Sequence, residues 1–242
     1  MAQDFVAVVP ARGGSVGLPG KNIVPFLGRP LIGHAIATAH ETRNVSRVIA
    51  TTDDDRIAEA ARDAGAEIVP LPAELAGPKV HVIDAVLHAL NEQNVRDDTL
   101  VVLLQPTSPL RTAADIDETH DLYRANDKVK SVVQMSYMPE HEHHPLKNFL
   151  LVDGRPVPVG DWRQQETPRK ELPQVVRATG GVYTALAGDL RAHRRFFILD
   201  VLPQLIPAER AVDIDTEADL RRALEIAHRL GWPDHTTANT VR

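Results

Sequence analysis

The chain has 242 residues, of which 43% are hydrophobic and 25% charged, with a formal net charge of −6 and no cysteine. That length can bury a full core as one α/β domain, and the acidic balance argues against a nucleic-acid-coating surface, which needs a basic stripe. Without cysteine there is no disulfide, no thiolate catalysis and no cysteine-held metal.

The opening "MAQDFVAVVP" has an acid ahead of a short apolar run and no basic stretch, so no signal peptide is expected. No apolar run approaches the roughly 20 residues that span a bilayer. The expectation is a soluble, cytoplasmic protein with neither a membrane nor a nucleic acid as partner. In chain order, "FVAVVP" (5–10), "RVIATT" (47–52), "AEIVPL" (66–71), "LVVLLQ" (100–105) and "SVVQMS" (131–136) read as strands. The ones dense in Val, Ile and Leu suit parallel strands covered on both faces. Between them, residues 29–42, 53–65, 82–93 and 112–126 show apolar positions at three-to-four spacing, several behind an Asp or Thr cap. Such alternation predicts an α/β fold: a Rossmann-like, mostly parallel sheet flanked by helices.

The rhythm stops at about residue 137. Residues 137–176 are proline-rich, charged and aperiodic, a length that in a compact domain usually belongs to function or to an interface. Inside this extension "FLLVDGRPV" predicts a hairpin on an Asp-Gly turn. The α/β domain resumes over 177–230, where "GGVYTAL" predicts a strand and "DTEADLRRALEIAHRL" a long amphipathic helix. Residues 231–242 read as a frayed, flexible tail.

Two stretches carry chemistry. In "VAVVPARGGSVGLPGKN" (6–22) a strand runs into a loop of glycines with Arg12 and Lys21. Glycines let backbone amides approach phosphate oxygens, and two cations offset their charge. The pattern is neither a Walker loop nor a dinucleotide fingerprint, because no helix follows at the required place. "VDIDTEADL" sets Asp213 and Asp215 two apart, which on extended chain points both carboxylates to one side. That suits magnesium, although Thr216 and Asp219 also fit a helix capping box. "HEHHP" (141–145) has no recognised zinc spacing and reads as a solvated loop. Phe196 and Phe197 in "RRFFI" are either core or an interface wall.

Taken in order, "PARGGSVGLPGKN", "TTDDDRIAEAA", "PAELA", "LLQPTSPLRT", "EHHPLK", "PRKELPQVVRATGGVY" and "VDIDTEADL" resemble the acylneuraminate cytidylyltransferases, or CMP-sialic acid synthetases, which are close to the CMP-KDO synthetases. The resemblance implies a nucleotide-diphospho-sugar transferase type of fold and an Mg²⁺-dependent nucleotidyltransferase. Such an enzyme joins CTP to the hydroxyl of a keto-sugar acid and releases pyrophosphate. It further implies that Ala11, Arg12, Gly13, Ser15, Lys21 and Asn22 hold the nucleotide, with Arg12, Lys21, Asp213 and Asp215 carrying the chemistry and the two aspartates binding the metal. Gln105, Arg169 and Tyr183 match the sugar-acid pocket. Phe196 and Phe197 match residues that reach a neighbouring subunit's pocket, and residues 137–176 match a dimerisation arm, so a homodimer is expected.

The departures from that pattern cluster on the nucleotide side. Val16 stands where the family has a lysine and Leu71 where an arginine precedes "PAELA". "PKVHV" (78–82) replaces an Asp-Thr-Ala-Ser-Ser run, and Thr179 replaces an asparagine. Lys79 or His81 is a candidate for replacing the lost charge. Another acidic acceptor (a KDO-like acid or a phosphonate), another nucleotide, or a non-catalytic binder of sugar acid or nucleotide are the alternatives.

Overall fold

The computed structural model describes residues 5–15, 17–138 and 144–236. In chain order the elements are β1 (Phe5–Pro10), β2 (Pro25–Phe26), β3 (Arg29–Pro30), α1 (Leu31–His40), β4 (Val45–Thr52), α2 (Asp55–Asp63), β5 (Glu67–Pro70), α3 (Val82–Glu92), β6 (Leu100–Leu104) and α4 (Ala113–Arg124). They continue with β7 (Ser131–Tyr137), β8 (Phe149–Val152), β9 (Arg155–Pro158), α5 (Trp162–Glu166), β10 (Val176–Leu186), α6 (Ala187–His193), β11 (Val201–Ile206) and α7 (Glu217–Arg229).

All five predicted strands and the four helices between them are present. They build a seven-stranded sheet in the order β11-β7-β10-β6-β1-β4-β5. Only β10 runs antiparallel to its neighbours, β6 and β7. The predicted mostly parallel sheet is therefore the observed one. β11 was not foreseen: it lies at the sheet edge, where Pro203 can sit opposite Val133 without breaking an inner ladder.

Alternation along β1 divides the core. Phe5, Ala7 and Val9 face Ile32, Ile36, Ile57 and Ile116 of α1, α2 and α4. Val6 and Val8 face Val86, Leu87 and Leu90 of α3 and Leu190 of α6. Every residue of β6 is buried, as expected of a strand covered on both faces; emptying one such position, Leu103→Ala for example, costs about 2–5 kcal/mol. A third cluster packs Ala223, Ile226 and Ala227 of α7 on Phe26, Leu31 and Ile214. Trp232 joins that cluster and the His235 amide donates to the Leu27 carbonyl at 3.0 Å. Residues 231–236 thus return to the domain instead of leaving it as a frayed tail, because Trp232 finds an apolar seat beside α7.

The predicted hairpin is β8–β9, with Asp153 at φ 49° and Gly154 at φ 73° supplying the left-handed turn. Beyond it, Asp161 and Gln164 form a capping box that starts α5. Among the described residues no helix is long and apolar enough to cross a membrane. The carboxyl ends of the parallel strands β1, β4, β5 and β6 share one edge, the place where open α/β sheets bind ligands.

Candidate active site

After β1 the chain is held open by its own polar groups. The Asn22 amide, almost fully buried, donates to the Arg12 carbonyl at 2.9 Å, and the Gly13 amide donates to Asp53 Oδ1 at 2.8 Å. Arg12 Nη1 donates to the Gly77 carbonyl at 3.0 Å, which ties this loop to the segment after β5. A Cβ at Gly17 would stand 2.6 Å from the Asp215 carbonyl oxygen, so only glycine lets the loop close on the 212–216 segment.

That segment is extended and alternates. Val212 and Ile214 are buried while Asp213 and Asp215 are accessible on the same side. The Ile214 amide donates to the Thr107 carbonyl at 2.8 Å, which fixes the strip against the loop after β6. Thr216 and Asp219 form a capping box for α7, and the two carboxylates also project together. Asp215 accepts from Lys21 Nζ at 2.7 Å.

Two cavities open along this edge. The first, about 490 Å³, has Arg12, Ser15, Lys21, Asn22, Asp213 and Asp215 in its wall, with Ala11 beside them. The second, about 410 Å³, is walled by Arg177, Thr179, Tyr183, Glu209 and Arg222 among others. Gln105 and Asp213 belong to both. Although Asp213 is reachable by solvent through the cavities, protein surrounds it, and this desolvation raises its carboxyl pKa above the usual carboxylate value. Asp215 adds to the rise, and the Thr107 hydroxyl and Lys21 oppose it. Burial raises the Tyr183 phenol, and Asp213 pushes it further.

Two carboxylates on one cavity wall, Asp213 with its proton affinity raised by burial and by its neighbour, are a fitting seat for a hard divalent cation. Magnesium takes one or two protein carboxylates and fills its other positions with water and phosphate oxygens. Among the described residues no group of three or more His, Cys, Asp or Glu side chains is placed to hold a metal ion.

Several expected site residues lie away from the two cavities within this chain. Arg169 lies exposed on a short 3₁₀ turn of the extension and lines neither cavity within this chain. Phe196 is buried in the second core cluster, its ring centroid 5.8 Å from that of Tyr183, and within this chain it is part of the core. Phe197 is half exposed and stands edge-on to Tyr183 without lining a cavity. Gly13 acts through its amide bond to Asp53 and does not line the first cavity. Of the two proposed replacement cations, His81 lines that cavity and Lys79 does not. Val16, His141, His143 and residues 237–242 lie outside the described residues. His144 bonds the Pro173 carbonyl (3.0 Å) and accepts from the Leu146 amide (3.2 Å), both roles of loop structure.

Other site residues escaped the sequence reading. Arg177 and Arg222 bring two guanidiniums to the second cavity. Arg177 stood within the "RATGG" signature, whereas nothing in the spacing of α7 singled out Arg222. The Thr179 hydroxyl donates to Gln134 Oε1 at 2.7 Å and accepts from the Gly181 amide, so its proton is spent inward and no donor remains for a ligand. Arg111, almost fully buried, donates to the carbonyls of Gly181 (2.6 Å) and Gln105 (2.5 Å).

A family model described as "Cytidylyltransferase" matches residues 6–153. An N-acylneuraminate cytidylyltransferase of Escherichia coli is 28% identical over 231 residues, 95% of this chain but 53% of that protein, so the chain spans about half its length. A CMP-N,N'-diacetyllegionaminic acid synthase of Legionella pneumophila is 30% identical over 89% of this chain and 92% of that protein. A 3-deoxy-manno-octulosonate cytidylyltransferase of Anaeromyxobacter dehalogenans is 41% identical over 45% of the chain and 42% of that protein. Among solved structures, a CMP:2-keto-3-deoxy-manno-octonic acid synthetase complexed with CTP has the same fold. Its TM-score is 0.72 at 17% identity, covering 94% of this chain and 100% of that one. With the family model spanning more than half its length and the legionaminic acid relative aligned nearly end to end, the chain belongs to the cytidylyltransferase family.

Proposed function

We propose that this protein transfers a cytidylyl group from CTP to a hydroxyl of a sialic-acid-like keto-sugar acid, with magnesium held by Asp213 and Asp215. The observation that carries this reading is the junction of two cavities at Gln105 and Asp213. A nucleotide in the first and an acceptor in the second would meet there. Three relatives bear the names of enzymes for acidic sugars, which supports the same acceptor class.

In this scheme an acceptor oxygen attacks the α-phosphorus as the bond to pyrophosphate breaks. Catalysis of this kind is mostly positioning and charge stabilisation. Arg12 and Lys21 would take the charge of the leaving group, Lys21 exchanging Asp215 for phosphate. Asp213 and Asp215 would hold magnesium, whose charge would help to offset that of the phosphates. Arg177 and Arg222 offer planar forks that suit a carboxylate and equally a phosphonate.

Pyrophosphate release decides the matter. CTP, UTP, ATP and GTP are assayed with magnesium against N-acetylneuraminic acid, KDO and a simple phosphonate. Turnover with CTP and a nonulosonic acid is expected. Turnover only with KDO, the phosphonate or another nucleotide selects the corresponding alternative, and silence from folded protein replaces the enzyme by a non-catalytic binder.

The homodimer belongs to the same proposal. In β8 all four residues are exposed, Leu151 at 78%, although the Phe149 ring has that of Trp162 in α5 5.9 Å away. An apolar ribbon of that kind is characteristic of an interface. Leu151→Asp is expected to convert a dimer into a monomer by size-exclusion chromatography with light scattering. A wild-type monomer, or an unchanged dimer in the variant, would remove the hairpin from the interface.

A further inference from the structure

The wall of the first cavity is drawn from two chemically different groups of residues. Arg12, Ser15, Lys21, Asp213, Asp215 and Thr216 are polar or ionic, fit for phosphates and a cation. Leu71, Leu75, Val80, Val82 and Ala85, from the stretch that runs from the end of β5 into α3, are aliphatic, fit for a flat base. An aliphatic wall holds a base but does not tell one pyrimidine from another. Cytosine presents an amine and an acceptor nitrogen where uracil presents a carbonyl and an N–H. Discrimination of that kind requires a hydrogen bond that the wrong base leaves unmade.

The backbone of this wall is already committed in part. The Leu71 amide donates to the Thr52 carbonyl, the Val80 amide to the Gly77 carbonyl, and the Gly77 carbonyl also accepts from Arg12. Among the described residues from 71 to 85 that line the cavity, His81 is the one with a polar side chain. It sits between Val80 and Val82 at the start of α3. Its imidazole neither caps that helix nor hydrogen-bonds to any other described residue. A neutral imidazole offers one donor and one acceptor nitrogen, and the acceptor nitrogen turned to the base pairs with the cytosine amine, which uracil lacks.

We infer that His81 is the side chain that selects the nucleobase. The inference rests on the nucleotide occupying the first cavity as proposed above. It also redefines what the altered "PKVHV" segment does: it supplies a polar reader among the aliphatic residues, and Lys79, outside the cavity wall, takes no part.

Calorimetric titration with CTP and with UTP, each with magnesium and no acceptor, tests this on the wild type and on His81→Ala, His81→Asn and Lys79→Ala. Both positions are exposed, so the variants are expected to fold, and circular dichroism checks that they do. His81→Ala should weaken CTP about five- to tenfold, the range of one net hydrogen bond, and narrow the CTP-to-UTP preference by the same factor. His81→Asn should recover part of both, and Lys79→Ala should change neither. A CTP affinity and preference within twofold of wild type in His81→Ala would overturn the inference while leaving the proposed function standing. Failure of the wild type to bind either nucleotide would overturn both.

Discussion

Asp213→Asn is expected to stop nucleotidyl transfer while the protein keeps, or slightly gains, thermal stability. The carboxylate stands at the junction of the two cavities and is one of two that would hold magnesium. Asparagine keeps the shape and can still accept from the Thr107 hydroxyl, but it brings no charge to a hard cation. Losing one electrostatic contact to the reacting phosphates costs about 10²–10³-fold in rate. Stability moves the other way. A carboxyl whose folded pKa lies above its unfolded one is bound to its proton more tightly when folded, so that contribution is present at low pH and lost as pH rises through the folded value. At neutral pH the wild type carries the cost of an ionised Asp213 and the variant does not. Solvent in the cavities screens the effect, which keeps the gain small, of the order of 1 °C. The gain should shrink as pH is lowered and Asp213 takes up its proton. Melting without magnesium at two pH values, beside pyrophosphate release with it, reads both halves. Activity within fivefold of wild type would remove Asp213 from the metal site; a melting temperature that falls at neutral pH would refute the account of its raised pKa.

How much of this was legible in the sequence depends on how local each cause is. β1 and β6 declare themselves because strands buried on both faces must be continuously apolar, and the β8–β9 turn because Asp-Gly is well suited to two successive left-handed residues. β11 was hidden because a short strand with an internal proline is tolerated only at an edge, and position in a sheet is a tertiary property. The same boundary runs through the site. The glycine loop and the paired aspartates are visible singly. Nothing local says that Gln105, at the end of β6, meets Asp213 before α7. Arg169 and Phe196 were placed by resemblance, which transfers identity without orientation; in this chain one lies out on the extension and the other is packed into the core. Lys79 and His81 are two residues apart and indistinguishable by charge pattern. Only the start of α3 decides which of them lines the cavity.

Arg111→Met should lower both stability and catalysis from outside the cavities, and its cause is geometric. The guanidinium is enclosed, and burial pulls its pKa down to about 9, so it remains a cation at neutral pH. Its nearest countercharge is Asp115, which is itself engaged by Arg210 at 2.6 and 3.0 Å. One planar fork thereby joins the Gln105 carbonyl, at the end of β6, to the Gly181 carbonyl, where β10 leaves register with β7 between Ala178 and Tyr183. Both carbonyls belong to backbone that shapes the cavities, with Gly180 alongside at φ 81°. Methionine fills much of the space and bonds neither. The Gly181 carbonyl then lacks the fork and the Gln105 carbonyl keeps the Ser108 amide, at 3.3 Å; an enclosed carbonyl that loses its donor costs about 1–3 kcal/mol. Removal of a cation whose Nε already lacks a partner offsets part of this. The balance is a loss of roughly 1–3 kcal/mol, or about 5 °C in melting temperature. Catalysis should fall further than stability alone explains, because Gln105 borders both cavities and a shift of about 1 Å in a positioning residue can cost on the order of 10²-fold. Arg111→Lys, with one point charge in place of a fork, should be intermediate in both measures. A methionine variant that melts early yet keeps its kcat/KM within threefold, measured well below its melting temperature, would show that Gln105 is held by something else and that Arg111 serves the fold alone.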